Sequence, residues 1–327
     1  MRRRDFIRLI GGAALASPLA ARAQPSGTTR KIGVLWQATN AEEAGSNLKA
    51  LVKGFADLGY DEGRQIALEN RFANDPERLK SMAAELVAAN VEVLLAVGNN
   101  AALHAKAATP TIPVVFVLVA DPVGSKLVEN LQRPGGNVTG LSSGGADLVG
   151  KRVALIKEII PGFARLAVLV NANDEAARAY AEAIQVAAPA LGITAQSFEW
   201  RTVNDIGPAF DGMKKANAQA FTTVSEGAAY ASRALIGQIA LARNRPLVGA
   251  SREMAKAGAL ASLAVDADAI CHDAAAYADK IFKGESPGEL PVEEPTKFEL
   301  LVNRKTAKAL GLTMPQPVLQ RANQVID

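Results

Sequence analysis

Short runs of Val, Ile and Leu alternate along this chain with segments whose apolar residues recur every three or four positions. KIGVLW (31–36) is followed by Leu48, Leu51, Val52, Phe55 and Leu58, the stripe of an amphipathic helix. IALENRF precedes a second stripe of Leu79, Met82, Ala83, Leu86 and Val87, and VEVLLAV precedes a helix expected from about Asn100 to Ala108, before IPVVFVLV. The order is βαβαβαβ. Near-continuous apolar strands separated by helices imply a parallel sheet covered on both faces.

The pattern restarts after RPGGNVTGLSSGGA. KRVALIKEII reads as a helix and RLAVLV as a strand, then DEAARAYAEAIQVAAPAL as a helix and TAQSFEW as a strand. A further helix leads to QAFTTV, a helix from Glu226 to Arg243 precedes PLVGA, and a short helix precedes ALASLAV. The fold class is therefore α/β, with two doubly wound parallel-sheet lobes joined by a hinge. Ser142 to Ala146, rich in Gly and Ser, is where the hinge is expected. The helix Asp266 to Lys283 and the GESPGELPVEEPTKFELLVN that follows are expected to cross back between lobes. This assigns 24–142 and about 264–292 to lobe 1, and 143–263 and about 293–327 to lobe 2.

Charge changes the picture only at the start. The chain has 36 Lys+Arg against 33 Asp+Glu, but five of the bases (Arg2, Arg3, Arg4, Arg8, Arg22) and one acid (Asp5) fall in the first 23 residues. Without them 31 bases face 32 acids, so no basic field for nucleic acid remains. The segment itself reads as an export signal: a basic start with Arg3-Arg4 of the twin-arginine type, an apolar run from about Leu9 to Ala20, and Ala21-Arg22-Ala23 before a cut at Gln24. The run is too short for a permanent span, and the mature protein is expected to be periplasmic.

Composition removes further chemistry. Cys271 is the single cysteine, so no intrachain disulfide can form, and His104 and His272 are the only histidines. Cys271-His272-Asp273 cannot converge on one ion, because helix neighbours point about 100° apart. No metal or cofactor is expected.

In open α/β sheets ligands sit beyond the carboxyl ends of the strands, and two facing lobes make one cleft from both sets of ends. Those positions hold Trp36, Gln37, Asn99, Asn100, Asp121, Ser142, Ser143, Asn171, Asn173, Ser225, Glu226, Ser251 and Arg252. Alternatives stay open for each kind. Asn99, Asn100, Ser225 and Ser251 suit helix N-caps, and Trp36 suits a pocket floor or plain core. Asp121, before Pro122, suits a turn or an amine contact. Arg252 clamps a carboxylate or extends into solvent.

Three segments carry a resemblance: VADPVGSKLVENLQRPGGNVTGLSS, GFADLGYDEGRQIALENRFAND and EEPTKFELLVNRKTAKALGLTMPQPVLQRANQVID. They resemble the substrate-binding proteins of ABC importers in the tryptophan-importer-like family. The resemblance implies a type I periplasmic binding fold, closing on a small ligand and delivering it to an inner-membrane ABC permease, with a monomer expected. Characterised relatives bind aromatic amino acids. Asn99-Asn100 stand where the family often has a small or hydroxylated residue, and Ser225-Glu226 where it often has an Asp-Asn pair, which weighs against an amino-acid ligand. The expected ligand is a small carboxylate with a planar or apolar body, an amino acid or an aromatic acid.

Two other classes share parts of this pattern. A sensor domain of a membrane receptor has the same fold. An exported α/β enzyme needs a base or nucleophile in the cleft, for which Glu226, Asp121 and His104 are weak candidates. Nucleotide binding lacks support, since GNN and PGGN do not have the G-x-G-x-x-G or P-loop spacing.

Overall fold

The computed structural model describes residues 29–144, 146–224 and 226–327, without the side chains of 146, 147 and 176. The expected export signal, its cut before Gln24 and Ser225 lie outside the described residues. The first half builds β1 (Arg30–Trp36), α1 (Ala41–Asp57), β2 (Ile66–Phe72), α2 (Pro76–Ala88), β3 (Val93–Val97), α3 (Asn99–Ala108), β4 (Val114–Val119) and β5 (Val138–Ser142). These strands form one parallel sheet in the order β2-β1-β3-β4-β5. The central β3 is buried at all five positions, as a strand covered on both faces must be. VTGLS was not expected as a strand, because Thr139 and Gly140 interrupt its apolar run, yet all five of its residues are buried.

The second half adds α4 (Ala146–Ile159), β6 (Arg165–Asn171), α5 (Glu175–Ala187), β7 (Thr194–Trp200), α6 (Ile206–Lys215) and β8 (Ala220–Thr223). It continues with α7 (Gly227–Ala231), α8 (Arg233–Ala242), β9 (Leu247–Gly249), α9 (Arg252–Lys256), β10 (Ala261–Val265) and α10 (Ala267–Phe282). The end of the chain is β11 (Phe298–Asn303), α11 (Arg304–Ala309), α12 (Gln316–Gln320) and β12 (Gln324–Ile326). The helix expected from Glu226 to Arg243 is thus two helices, α7 and α8. The second sheet has the order β12-β11-β10-β9-β8-β6-β7.

This sheet is not wholly parallel, since β11 runs antiparallel to β10. The path of the chain explains it. After β10 reaches the cleft, the chain crosses to the first lobe, where α10 packs Cys271, Ala274, Ala275 and Ala278 against Leu51 and Phe55 of α1. It then runs beside β5, where Ser142 N–H donates to Glu293 O at 2.8 Å and Glu293 N–H to Gly140 O at 3.0 Å. It therefore re-enters the second sheet from the cleft end and must run backwards along β10. The small side chains of α10 permit close approach to α1, and burying Phe55 there contributes about 1.5–3 kcal/mol. Cys271 is a core residue of this contact, and burial pushes its thiol well above the ordinary range.

Each sheet reverses strand order beside its first strand: β1 lies between β2 and β3, and β6 between β7 and β8. Such switch points leave a crevice at the carboxyl ends, and the two crevices face each other.

Candidate functional site

A cavity of about 130 Å³ lies between the lobes. Lobe 1 lines it with Trp36 at the end of β1 and Gln37 after it, Glu43 and Asn47 in the first turns of α1, Gly98 and Asn99 after β3, and Leu118. The opposite wall carries Ser143, Glu226, Gly227, Tyr230, Ala250 to Glu253, Ala264 and Val265, and Asp268 lines the cavity from the start of α10. Leu118 is held at φ 61° where the β4–β5 register shifts between Val117 and Val119. A left-handed leucine inside a strand is a rare and strained conformation; it sits at this cavity.

The lobes meet around the cavity. Asn100 Nδ2 donates to Asp174 Oδ2 across the cleft at 3.3 Å, and Gly227 packs so closely on Gln37 that a Cβ there would lie 2.7 Å from Gln37 Cγ.

Three buried polar atoms at this cavity have no hydrogen-bond partner: Glu43 Oε1, Asn99 Nδ2 and Ser251 Oγ. Leaving such groups unmade costs about 1–3 kcal/mol each, and together they present an acceptor, a donor and a hydroxyl. Local structure fixes each. Glu43 Oε2 accepts from Thr39 N–H at 2.8 Å, which leaves Oε1 without a partner on a residue that lines the cavity. Asn99 is the first residue of α3 and not its cap, which is Gly98 at φ 99°. Ser251 is the N-cap of α9, but its hydroxyl makes no capping bond.

Glu226 is half-buried in the cavity wall and accepts from Ala228 N–H at 2.7 Å and Ala229 N–H at 2.6 Å. Burial first, and then the Asp174 charge, push its carboxyl up to about 7, against the lowering effect of those N–H groups. Tyr230 is likewise raised to about 12 by burial and by Glu253.

The remaining expected residues take other work. Trp36 is 2% exposed, stacks on Phe72 with centroids 6.2 Å apart, and donates its Nε1–H to Asn70 Oδ1 at 2.8 Å. It is both core and cavity wall. Gln37 Oε1 accepts from Asn100 N–H at 3.0 Å. One N–H at the amino end of α3 is therefore taken by Gln37.

Arg252 does not extend into solvent but is held by carboxylates of the protein itself. It reaches Asp266 at 3.0 Å, Glu299 at 3.1 Å, Asp268 at 3.2 Å and Glu253 at 4.0 Å. Burial alone would lower its guanidinium, but Glu299, Asp268, Glu253 and Asp266 hold it above the ordinary value. Four carboxylates around one cation leave this end of the cavity negative.

Ser143 lines the cavity, whereas Ser142 lies outside it, accepting from Gly144 N–H at 3.0 Å beside a separate groove that also holds Asp121 and Tyr180. Asp121 makes the turn, its Oδ1 accepting from Gly124 N–H at 2.8 Å. Asn171 stands behind Glu226 at 3.5 Å, and Asn173 faces away, donating to Arg201 O at 3.0 Å. His104 lies near Glu77 and Lys80 and not on the cavity, and burial lowers it.

Strand ends did not point to Glu43, Asn47, Tyr230, Glu253 or Asp268, which lie within helices. The Asn40-x-x-Glu43 spacing of a capping box was the available signal for Glu43. Asn40 Oδ1 does accept from Glu43 N–H at 2.9 Å.

A family model described as ABC transporter substrate binding protein matches residues 38–326. The chain belongs to that family. It is 24% identical over 265 residues to the tyrosine-binding protein of Clostridioides difficile (strain R20291), covering 81% of this chain and 76% of that one. Among solved structures it is similar to a conserved domain protein of Vibrio cholerae O1 biovar El Tor, with a TM-score of 0.85, 30% identity, and 91% and 100% of the two chains covered. It is equally similar in shape to an ABC domain from Streptococcus pneumoniae in complex with L-Trp, with a TM-score of 0.85, 26% identity and the same coverage. The two α/β lobes are those of the type I periplasmic binding proteins, and the family is one of binding proteins. Among the described residues no helix is long and apolar enough to cross a membrane.

Proposed function

We propose that this protein is the extracytoplasmic solute-binding component of an ABC importer, and that its ligand is an aromatic L-amino acid held between the lobes. The observation that carries this reading is the set of unpartnered atoms Glu43 Oε1, Asn99 Nδ2 and Ser251 Oγ on one cavity that also has Trp36, Leu118 and Tyr230 in its wall. An α-amino acid offers an ammonium to the acceptor and a carboxylate to the donor and hydroxyl, and its ring meets the apolar wall. The volume of about 130 Å³ is close to that of cavities that admit a benzene ring, about 150 Å³. The acids Glu43, Glu226, Glu253 and Asp268 favour a ligand that brings a positive charge, which an aromatic acid lacks. The tyrosine-binding relative and the L-Trp complex support the same class.

In this reading the lobes are 24–142 with about 264–292, and 143–263 with about 293–327. They turn on the connections around 142–146, 265–267 and 293–297. Closure joins contacts from both lobes and so favours the liganded state. The closed monomer then docks on a permease in the inner membrane, reached through a twin-arginine signal that is cut after Ala23.

A thermal-shift panel of L-tyrosine, L-phenylalanine, L-tryptophan, L-leucine, phenylacetate, tyramine, glucose and ribose tests the ligand class. At a hundredfold excess over Kd the true class stabilises the protein by about 2.7 kcal/mol. Shifts by the aromatic amino acids alone are expected. A shift only with sugars, or one of equal size with phenylacetate, overturns the reading.

A further inference from the structure

Arg152, on α4, is 4% exposed. Its Nε–H donates to Leu263 O at 2.8 Å, and among the described residues no carboxylate pairs with it. A buried guanidinium without an anion is costly, since desolvation is not offset by a partner, and burial lowers its hold on the proton. It lines a void of about 10 Å³ together with Ser143, Ala250 and Val265, and those three residues also wall the main cavity. A void of that size takes about one water-sized group, hence one oxygen of a carboxylate whose carbon stays in the main cavity. The other arginine at the cavity, Arg252, is already held by four carboxylates.

We propose that Arg152 receives the ligand's carboxylate from behind Ser143 and determines the preference for amino acids over the corresponding amines. The proposal rests on the amino-acid reading of the cavity. It divides the ligand's charges: the ammonium faces Glu43, Glu226 and Asp268, and the carboxylate lies on the Ser143, Ala250 and Val265 side, where the cation is.

Isothermal titration of the wild type, Arg152→Met and Arg152→Lys with L-tyrosine, L-phenylalanine, tyramine and phenethylamine separates the two claims. If the wild type binds neither amino acid, the ligand reading fails first. If it binds them, Arg152→Met should weaken the amino acids by about 30-fold or more, as truncating one member of a buried charge pair does. It should leave the amines within about twofold. Arg152→Lys keeps the charge but loses the planar fork, and should give a smaller loss confined to the amino acids. Equal loss for acids and amines, or none, overturns the role of Arg152. Should Arg152→Met not fold, Arg152→Lys decides alone by the same amino-acid to amine ratio.

Discussion

Substituting Gly227 by alanine should hold the cleft open without harming either lobe. Gly227 begins α7, and its φ lies outside the left-handed range, so alanine fits its backbone. The three atoms nearest a Cβ added there all belong to Gln37 of lobe 1: Cγ at 2.7 Å, O at 2.9 Å and Cδ at 3.1 Å. Carbon atoms rest at about 3.5–4.0 Å, and one of the three neighbours is a backbone oxygen that cannot swing aside. Overpacking of this kind costs about 1–3 kcal/mol. The cost falls on the closed state alone, and at about 1.4 kcal/mol per factor of ten it weakens ligand binding roughly 5- to 150-fold.

An open ligand-free protein would lack this contact, and alanine stiffens the unfolded chain, so the melting temperature of the free protein should hold or rise slightly. Calorimetric titration with the ligand from the thermal panel, beside scanning calorimetry of the free protein, measures both quantities. Gly207→Ala is the control, because a Cβ at Gly207 in α6 meets nothing within 4 Å. Binding by Gly227→Ala within twofold of wild type refutes closure by this contact. A loss of affinity matched by a fall in free-state stability would place the clash within one lobe and refute it as well.

Glu226 binds its proton more tightly folded than unfolded, so its own contribution to the stability of the free protein should be fullest below about pH 4.5 and fall by on the order of 3 kcal/mol as pH rises through about 7. Affinity for an ammonium ligand should move the other way, rising between pH 5.5 and 8, and Glu226→Gln should flatten both profiles in parallel chemical-denaturation and titration series. Trp36→Phe keeps the ring but drops the bond to Asn70; it should cost about 1 kcal/mol in urea unfolding and abolish most of the ligand-induced fluorescence change, since Trp200 is the only other tryptophan. An undiminished change would move the ligand away from Trp36. Arg3→Lys with Arg4→Lys should retain the precursor in the cytoplasm on fractionation, because lysine lacks the paired guanidinium groups; normal export by that mutant counts against a twin-arginine route.

The parallel strands and their helices were legible because burial on both faces writes itself as apolar runs and periodic stripes. VTGLS escaped because its burial is carried by Thr139, Gly140 and Ser142, whose types do not announce a core. The reversal of β11 was not legible from local pattern, since its direction depends on which end of the sheet the chain re-enters after α10. At the cavity, the strand-end rule reached Trp36, Gln37, Asn99, Ser143, Glu226, Ser251 and Arg252, all of which line it. It could not assign their work, because a side chain's availability depends on partners distant in sequence. The carboxylates that occupy Arg252 include Asp266, Asp268 and Glu299, and nothing near position 252 foretells them.

Arg152 shows the converse, a residue whose role the pattern does flag once the right question is put to it. In KRVALIKEII it reads as one of a pair of surface bases. Yet Val149, Val153 and Ile156 define the buried stripe of α4, and position 152 falls on that stripe three residues after Val149 and four before Ile156. Lys151, one place earlier, instead lies over the Phe298 ring at 3.8 Å. Periodicity alone therefore puts one base of the pair inside and leaves the other at the helix surface. A guanidinium inside an apolar stripe must find an anion or carry a desolvation cost. Since no carboxylate among the described residues supplies one, the same helical period that locates the core leads from Arg152 to the ligand.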